Sequence, residues 1–304
     1  MNKFPDKKII EEIAIELGVH ASFIEKDWYA TNALKIIGDI TDENFSPVFS
    51  GGTSLSKGYG LIERFSEDLD FKVIHPVGVT RSQLRAFREK VYTAFNGHNE
   101  LKIIEDSKTS RDGSQFFTCL IEYPKSFPPS ESIRPHVQLE FSFRAPHFDP
   151  ERREIRSFAA EFMKGDVDLQ IECIQPLETA ADKLNAFTWR VHARDRDAEG
   201  DDPALIRHLH DLAKLEKTIQ GKKAEFWRLA NEIYTTDRKR TDTKMPETLI
   251  EAIENLVSIL KKDKLYETEY TKFVTGVSYA TEEKQVSFAQ ALAALKNIKI
   301  SYKK

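Results

Sequence analysis

Two stretches of this 304-residue chain alternate strictly between apolar and polar side chains. From Asp68 to Ile74, Leu69, Phe71 and Val73 fall on one side, and Asp68, Asp70 and Lys72 on the other. Over 136–143, Val137, Leu139, Phe141 and Phe143 oppose His136, Gln138, Glu140 and Ser142. A period of two belongs to a strand, whereas a helix would scatter the apolar side chains around its axis. The chain is therefore committed to a sheet with one buried face, and the opposite face carries carboxylates.

The other segments read more coarsely. Apolar residues at helical spacing predict helices over 9–17 and 21–37, with Gly18 as a stop between them. A short buried strand at 47–49 runs into a glycine turn, and 54–62 is compatible with a helix. Residues 81–95 read as a helix, 101–104 and 115–123 as strands, and 124–135 as a turn rich in Pro and Ser. Beyond Leu169 the pattern changes to helices at 176–190, 203–217, 223–234, 246–261 and 282–296. The charged runs 197–202 and 235–244 read as exposed loops. The expected fold class is α/β (α+β): a small mixed-sheet domain with N-terminal helices over 1–170, followed by a helical C-terminal domain over 171–304.

Composition excludes several classes of function. Charged residues make up 31% and the net charge is -4, which excludes a strongly basic protein that coats nucleic acid but not a local basic face. No apolar run approaches the roughly 18 residues a bilayer crossing needs, so no membrane partner is expected. The two cysteines, Cys119 and Cys173, lack disulfide or zinc-ligand spacing and are expected as small buried residues in a cytoplasmic protein.

The chemistry concentrates in Ser50-Gly51-Gly52-Thr53-Ser54-Leu55, followed fourteen residues after Ser54 by Asp68-Leu69-Asp70. A Gly-Gly turn between strand and helix allows close backbone approach and leaves N–H groups for a phosphate. Thr53 and Ser54 add hydroxyls that either donate to that phosphate or cap the helix. Asp-x-Asp on a strand puts both carboxylates on one face, close enough to share hard divalent cations such as Mg²⁺ (or Mn²⁺). Glu140 occupies the polar face of the later strand. Were that strand to lie beside the Asp68–Asp70 strand, three carboxylates would gather there, as metal-dependent nucleotidyl transfer requires.

Gly51 to Phe71, with Gly-Gly-Thr-Ser-Leu-Ser-Lys and Arg-Phe-Ser-Glu-Asp-Leu-Asp-Phe, resembles the first motif of the AbiEii/AbiGii-type nucleotidyltransferases of the DNA polymerase β-like superfamily. Ile24-Glu25-Lys26-Asp27-Trp28 is similar to that family's N-terminal Glu-Lys-Asp-aromatic signature. Residues 176–184, ending Asp182-Lys183-Leu184, resemble its Glu…Lys-Leu helix, and 207–212 its Arg-Asp-x-x-Asp-Leu helix, with His208 in place of the first Asp. The resemblance implies that Gly52, Thr53 and Ser54 hold the β/γ phosphates and that Asp68, Asp70 and Glu140 are metal ligands. It implies that Lys183 reaches the triphosphate and that Asp211 is the surviving acid of the last motif. Lys57 is a candidate for a phosphate contact, and Arg190, Arg194 and Arg207 for contact with an RNA backbone.

The resulting expectation is an Mg²⁺-dependent nucleotidyltransferase that joins a nucleotide from an NTP to an acceptor hydroxyl. The resemblance implies a toxin of a toxin–antitoxin or phage-defence pair, with a cognate antitoxin as partner and the 3′ end of tRNA as acceptor. A small-molecule acceptor of the antibiotic type and a non-catalytic nucleotide-binding role are the alternatives. An acidic acceptor surface would favour the first, and full effect without Asp68 the second.

Overall fold

The computed structural model describes residues 4–239 and 244–302. The chain divides into two compact units, Met1–Ile174 and Gln175–Lys304.

The first unit begins with α1 (Lys7–Leu17), capped by the Asp6 carboxylate on Lys8 N–H and ended by Gly18 in the left-handed region at φ 64°. α2 (Ala21–Gly38) follows, and almost every one of its residues is buried, including Glu25, Lys26 and Asp27. A helix buried all round must find partners for its charges, and those partners build much of the site below. β1 (Ser46–Ser50) leads directly into α3 (Gly51–Thr53), a single turn that widens into a π-type turn, Ser54–Gly58. The helix predicted to reach residue 62 thus stops at Gly58. After β2 (Asp68–Ile74) and α4 (Arg81–Ala94) come β3 (Lys102–Ile103), β4 (Thr109–Arg111), β5 (Phe116–Glu122) and β6 (Val137–Ser142). β7 (Glu151–Ile155), α5 (Phe158–Phe162) and β8 (Leu169–Cys173) complete the unit.

Among the described residues these strands form one mixed sheet in the order β3-β5-β6-β2-β1-β8-β7, with β4 on β5. β2 runs parallel to β6 and β1 parallel to β8, and the other pairs are antiparallel. The register brings Phe49, Phe71, Phe141 and Phe117 into one row across β1, β2, β6 and β5. Their ring centroids follow at 5.7, 4.7 and 4.6 Å. Because the side-chain period is two, this row on the buried face fixes which residues meet on the other face. Burial pushes the thiols of Cys119 and Cys173 up to about 12 and about 11.

Three strands were not legible: β4, three exposed residues on β5, together with β7 and β8. β7, Glu-Arg-Arg-Glu-Ile, is charged because it is an edge strand, where charge blunts further pairing. β8 lies where the sequence reading placed the start of the helices. It is a strand because it pairs with both β1 and β7.

The second unit is helical: α6 (Pro176–Ala193), α7 (Arg207–Gly221), α8 (Lys223–Arg238), α9 (Leu249–Lys262), α10 (Leu265–Val277) and α11 (Phe288–Ser301). Its core is lined by Leu184, Phe187, Leu212, Phe226, Leu256 and Leu295. The loop expected over 235–244 is corrected in part. Thr235 to Arg238 close α8, and 240–243 lie outside the described residues. α10 had no counterpart in the sequence reading.

Candidate active site

The glycines of the strand-to-helix turn answer to their surroundings. Gly51 has φ 76°, and a Cβ built there would overlap the Asp70 carboxylate. A Cβ on Gly52 would stand 2.7 Å from Ser66 Oγ and 3.0 Å from Arg64 Nη2. Asp70 and the segment entering β2 therefore press directly on the turn, and only glycine fits beneath them. The two hydroxyls that follow have different surroundings. Thr53 Oγ1 donates to the Asp68 carbonyl at 2.5 Å, which ties the turn to β2. Ser54 is 1% exposed, with its hydroxyl turned inward beside Cys173. One hydroxyl of the turn is thus held by the β2 backbone, and the other is enclosed.

On the polar face of the sheet, β2 and β6 pair Asp70 with Glu140 and Asp68 with Gln138. Parallel neighbours lie about 5 Å apart, and Asp68 and Asp70 about 7 Å apart along one strand. The three carboxylates therefore share one face of two adjacent strands. Each is engaged. Arg134 Nη2 donates to Asp68 Oδ1, and its Nη1 donates to Gln138 Oε1 at 2.6 Å. Gln138 Nε2 in turn donates to Glu140 Oε1. Among the described residues no three His, Cys, Asp or Glu side chains are gathered tightly enough to enclose a cation. The donor set nevertheless suits a divalent metal, since it is all hard oxygen and already attracts one cation, the Arg134 guanidinium.

The buried charges of α2 hold this face in place. Lys26 Nζ donates to Glu67 Oε2 at 2.7 Å and to the Arg134 carbonyl at 2.9 Å. Arg134 N–H donates to the same Glu67 oxygen at 2.6 Å. Burial alone would push Glu67 up, but Lys26 and Arg134 together hold it below the usual carboxylate range. Burial lowers Lys26, and Glu67 partly restores it. Asp27 sits 2.5 Å from Lys57 Nζ and accepts from Phe158 N–H at 2.8 Å, while burial raises its carboxyl. Glu25 accepts from Ser126 N–H at 2.7 Å. Three consecutive charges thus clasp three different segments of the unit.

Lys57, the candidate for a phosphate contact, is part of that clasp. Its ammonium is on Asp27, donates to the Arg156 carbonyl at 3.0 Å, and lies over the Phe158 ring. Glu67, Arg134 and Gln138 were not singled out in the sequence. Glu67 had a signal in its position next to Asp68, but Arg134 lies in a turn segment with no periodicity to betray it.

Within the helical unit, Lys183 Nζ lies 2.7 Å from Asp211 Oδ2, both withdrawn from solvent. His210 Nδ1 is 3.3 Å from the other Asp211 oxygen. His208 is buried, and among the described residues neither of its ring nitrogens meets a hydrogen-bond partner. Burial, reinforced by Lys183, holds it well below its ordinary value, so the ring is neutral. Arg194, a candidate for RNA contact, is enclosed within the helical unit. Its side chain is 3% exposed, forks onto Asp201 and Glu269 with bonds of 2.7 and 2.8 Å, and stacks on Tyr266. Arg190 and Arg207 are more exposed, and both pair with Asp202, at 3.7 and 3.0 Å.

Comparison with known proteins gives two findings. Residues 39–294 match the family model described as "Nucleotidyl transferase AbiEii toxin, Type IV TA system". Among solved structures, the chain is similar to MenT4, a nucleotidyltransferase toxin from Mycobacterium tuberculosis H37Rv. That likeness has a TM-score of 0.66 at 16% identity and covers 99% of this chain and 90% of that one. At that identity it speaks for the fold. Among curated proteins none matches.

Proposed function

This chain belongs to the AbiEii family of nucleotidyl transferase toxins of type IV toxin–antitoxin systems, and from that premise we propose that it transfers a nucleotide from an NTP to the 3′-terminal hydroxyl of a tRNA. The acceptor oxygen bonds to the α-phosphorus, the α–β anhydride bond breaks, and pyrophosphate leaves. The observation that carries the reading is the register of β2 and β6, which brings Asp70 opposite Glu140 beside Asp68, directly against the Gly51–Gly52 turn.

Asp68, Asp70 and Glu140 would hold Mg²⁺ or Mn²⁺, and a bound cation would polarise the α-phosphate and favour ionisation of the acceptor hydroxyl. The reading gives the chain's own groups the following roles. The Gly52 backbone, bare of a side chain, receives the β/γ phosphates close to the main chain. Glu140 is the carboxylate suited to take the acceptor proton. Lys183, held by Asp211, is the ammonium that the motif assigns to the triphosphate charge. A cognate antitoxin opposes the activity, in the cytoplasm and in the context of phage defence. Among the described residues no helix is long and apolar enough to cross a membrane.

A small-molecule acceptor is the second reading. It is favoured by the burial of Arg194 and by Asp202, which lies against both Arg190 and Arg207 and weakens the basic surface an RNA backbone would need.

The test is incubation with total tRNA, Mg²⁺ and each α-³²P-labelled NTP in turn, with Asp68→Ala and Lys183→Ala alongside. Label on tRNA that is lost in both variants is expected. Label that survives Asp68→Ala would sink the carboxylate mechanism. Absence of label on tRNA, with transfer to an aminoglycoside or similar hydroxyl compound, would move the acceptor to the second reading.

A further inference from the structure

One cation of the first unit already lies on the carboxylate face, and its backbone holds an anchor of its own beside the contacts of its side chain. The N–H of Arg134 donates to Glu67, its carbonyl accepts from Lys26, and Lys26 and Glu67 close the ring at 2.7 Å. Those contacts belong to the main chain and would survive replacement of the side chain. The side chain, 42% exposed, keeps its Nε 3.5 Å from Glu67 Oε2 and extends its fork to Asp68 and to Gln138, whose amide continues to Glu140. Arg194 offers a contrast within the same protein, since it is 3% exposed and enclosed by two carboxylates and an aromatic ring. An arginine kept for packing is buried in that manner. Arg134 instead spans the metal-binding carboxylates from the solvent side.

We propose that Arg134 is a displaceable counter-ion of the carboxylate set. It neutralises Asp68 directly and orients Glu140 through Gln138, and a divalent cation must take its place on the same oxygens. Two cations cannot share Asp68 Oδ1 without strong repulsion, so metal binding releases the guanidinium. Hinged at its anchored backbone, the planar fork then meets an anionic triphosphate, the kind of group that guanidinium geometry matches. The inference rests on the reading of Asp68, Asp70 and Glu140 as metal ligands given above. It adds that metal and nucleotide loading are coupled through one arginine.

The experiment measures binding of Mn²⁺ alone, from the electron paramagnetic resonance signal of the free ion, to wild type, Arg134→Gln, Arg134→Lys and Asp68→Asn. Affinity of a non-hydrolysable NTP analogue at saturating Mn²⁺ is measured on the same proteins. Arg134→Gln is expected to bind Mn²⁺ alone about tenfold tighter than wild type and the analogue about tenfold more weakly. Arg134→Lys, with the charge but without the fork, is expected to fall between them in both. It also serves where the glutamine variant fails to fold. Mn²⁺ affinity unchanged or weakened in both Arg134 variants, while Asp68→Asn abolishes it, overturns the counter-ion and leaves the carboxylate site standing. Mn²⁺ binding that ignores Asp68→Asn, or is absent from every protein, overturns the metal-site reading and this inference with it.

Discussion

Phe71 stacks on Phe141, with ring centroids 4.7 Å apart and planes inclined by 13°, and this pair on the buried face determines that Asp70 meets Glu140 on the other. A one-residue slip of either strand would send its phenylalanine to the polar face and its carboxylate into the core. The core and the site are therefore two readings of a single register. Phe141→Ala is expected to cost about 3–5 kcal/mol of stability through the cavity it leaves. It is also expected to lower transfer in the protein that remains folded, because Glu140 loses its constraint. Chemical denaturation and single-turnover transfer at a temperature below the transition check both.

The Asp27–Lys57 pair predicts a purely structural phenotype. Lys57→Met leaves a carboxylate buried without its counter-ion, which costs about 3–5 kcal/mol. KM for NTP in the folded protein is expected to stay unchanged. A large rise in KM without loss of stability would return Lys57 to the phosphate.

Arg194 carries a similar expectation for the helical unit. Arg194→Gln removes both forks and leaves Asp201 and Glu269 facing each other, so the thermal transition of that unit should fall by several degrees. Acceptor KM should not change. By contrast, Arg190→Gln, at a half-exposed position, should leave the melting temperature within about a degree.

His208 gives a pH signature with a defined sign. Its folded-state pKa is well below 6.5, while the unfolded chain titrates near 6.5. Below pH 6.5 the unfolded state therefore binds the extra proton, and the stability contributed by the neutral ring is fully present above 6.5 and lost as pH falls. Between pH 7.5 and 5.5, wild type should lose more stability than His208→Asn. Denaturant titrations at the two pH values measure it, and equal losses would mean that the ring is protonated in the fold.

How much of this was written in the sequence differs from element to element. Strict alternation revealed β2 and β6 because each has one wet and one buried face. β7 has an exposed edge, so its charges carried no alternation to read, and β8 was hidden by its neighbourhood with the helices. Asp68, Asp70 and Glu140 were legible as candidates because their types and spacing suit one chemistry. Glu67, Arg134 and Gln138 were not, because nothing local marks a side chain whose role is to contact another strand.

The sequence by itself determined the periodicities, the glycine turn, the carboxylate types and the family. Those properties are local, set by backbone geometry and by residue chemistry within a few positions. Tertiary structure alone decided that β6 lies parallel to β2 in the register that opposes Asp70 to Glu140. It decided likewise that Lys57 faces Asp27 and that Arg194 is enclosed rather than presented. A cation reads the same along the chain whether it meets a carboxylate or a phosphate. Which partner it meets is settled by what the folded packing brings within about 3 Å, where Coulomb and hydrogen-bond energies become decisive.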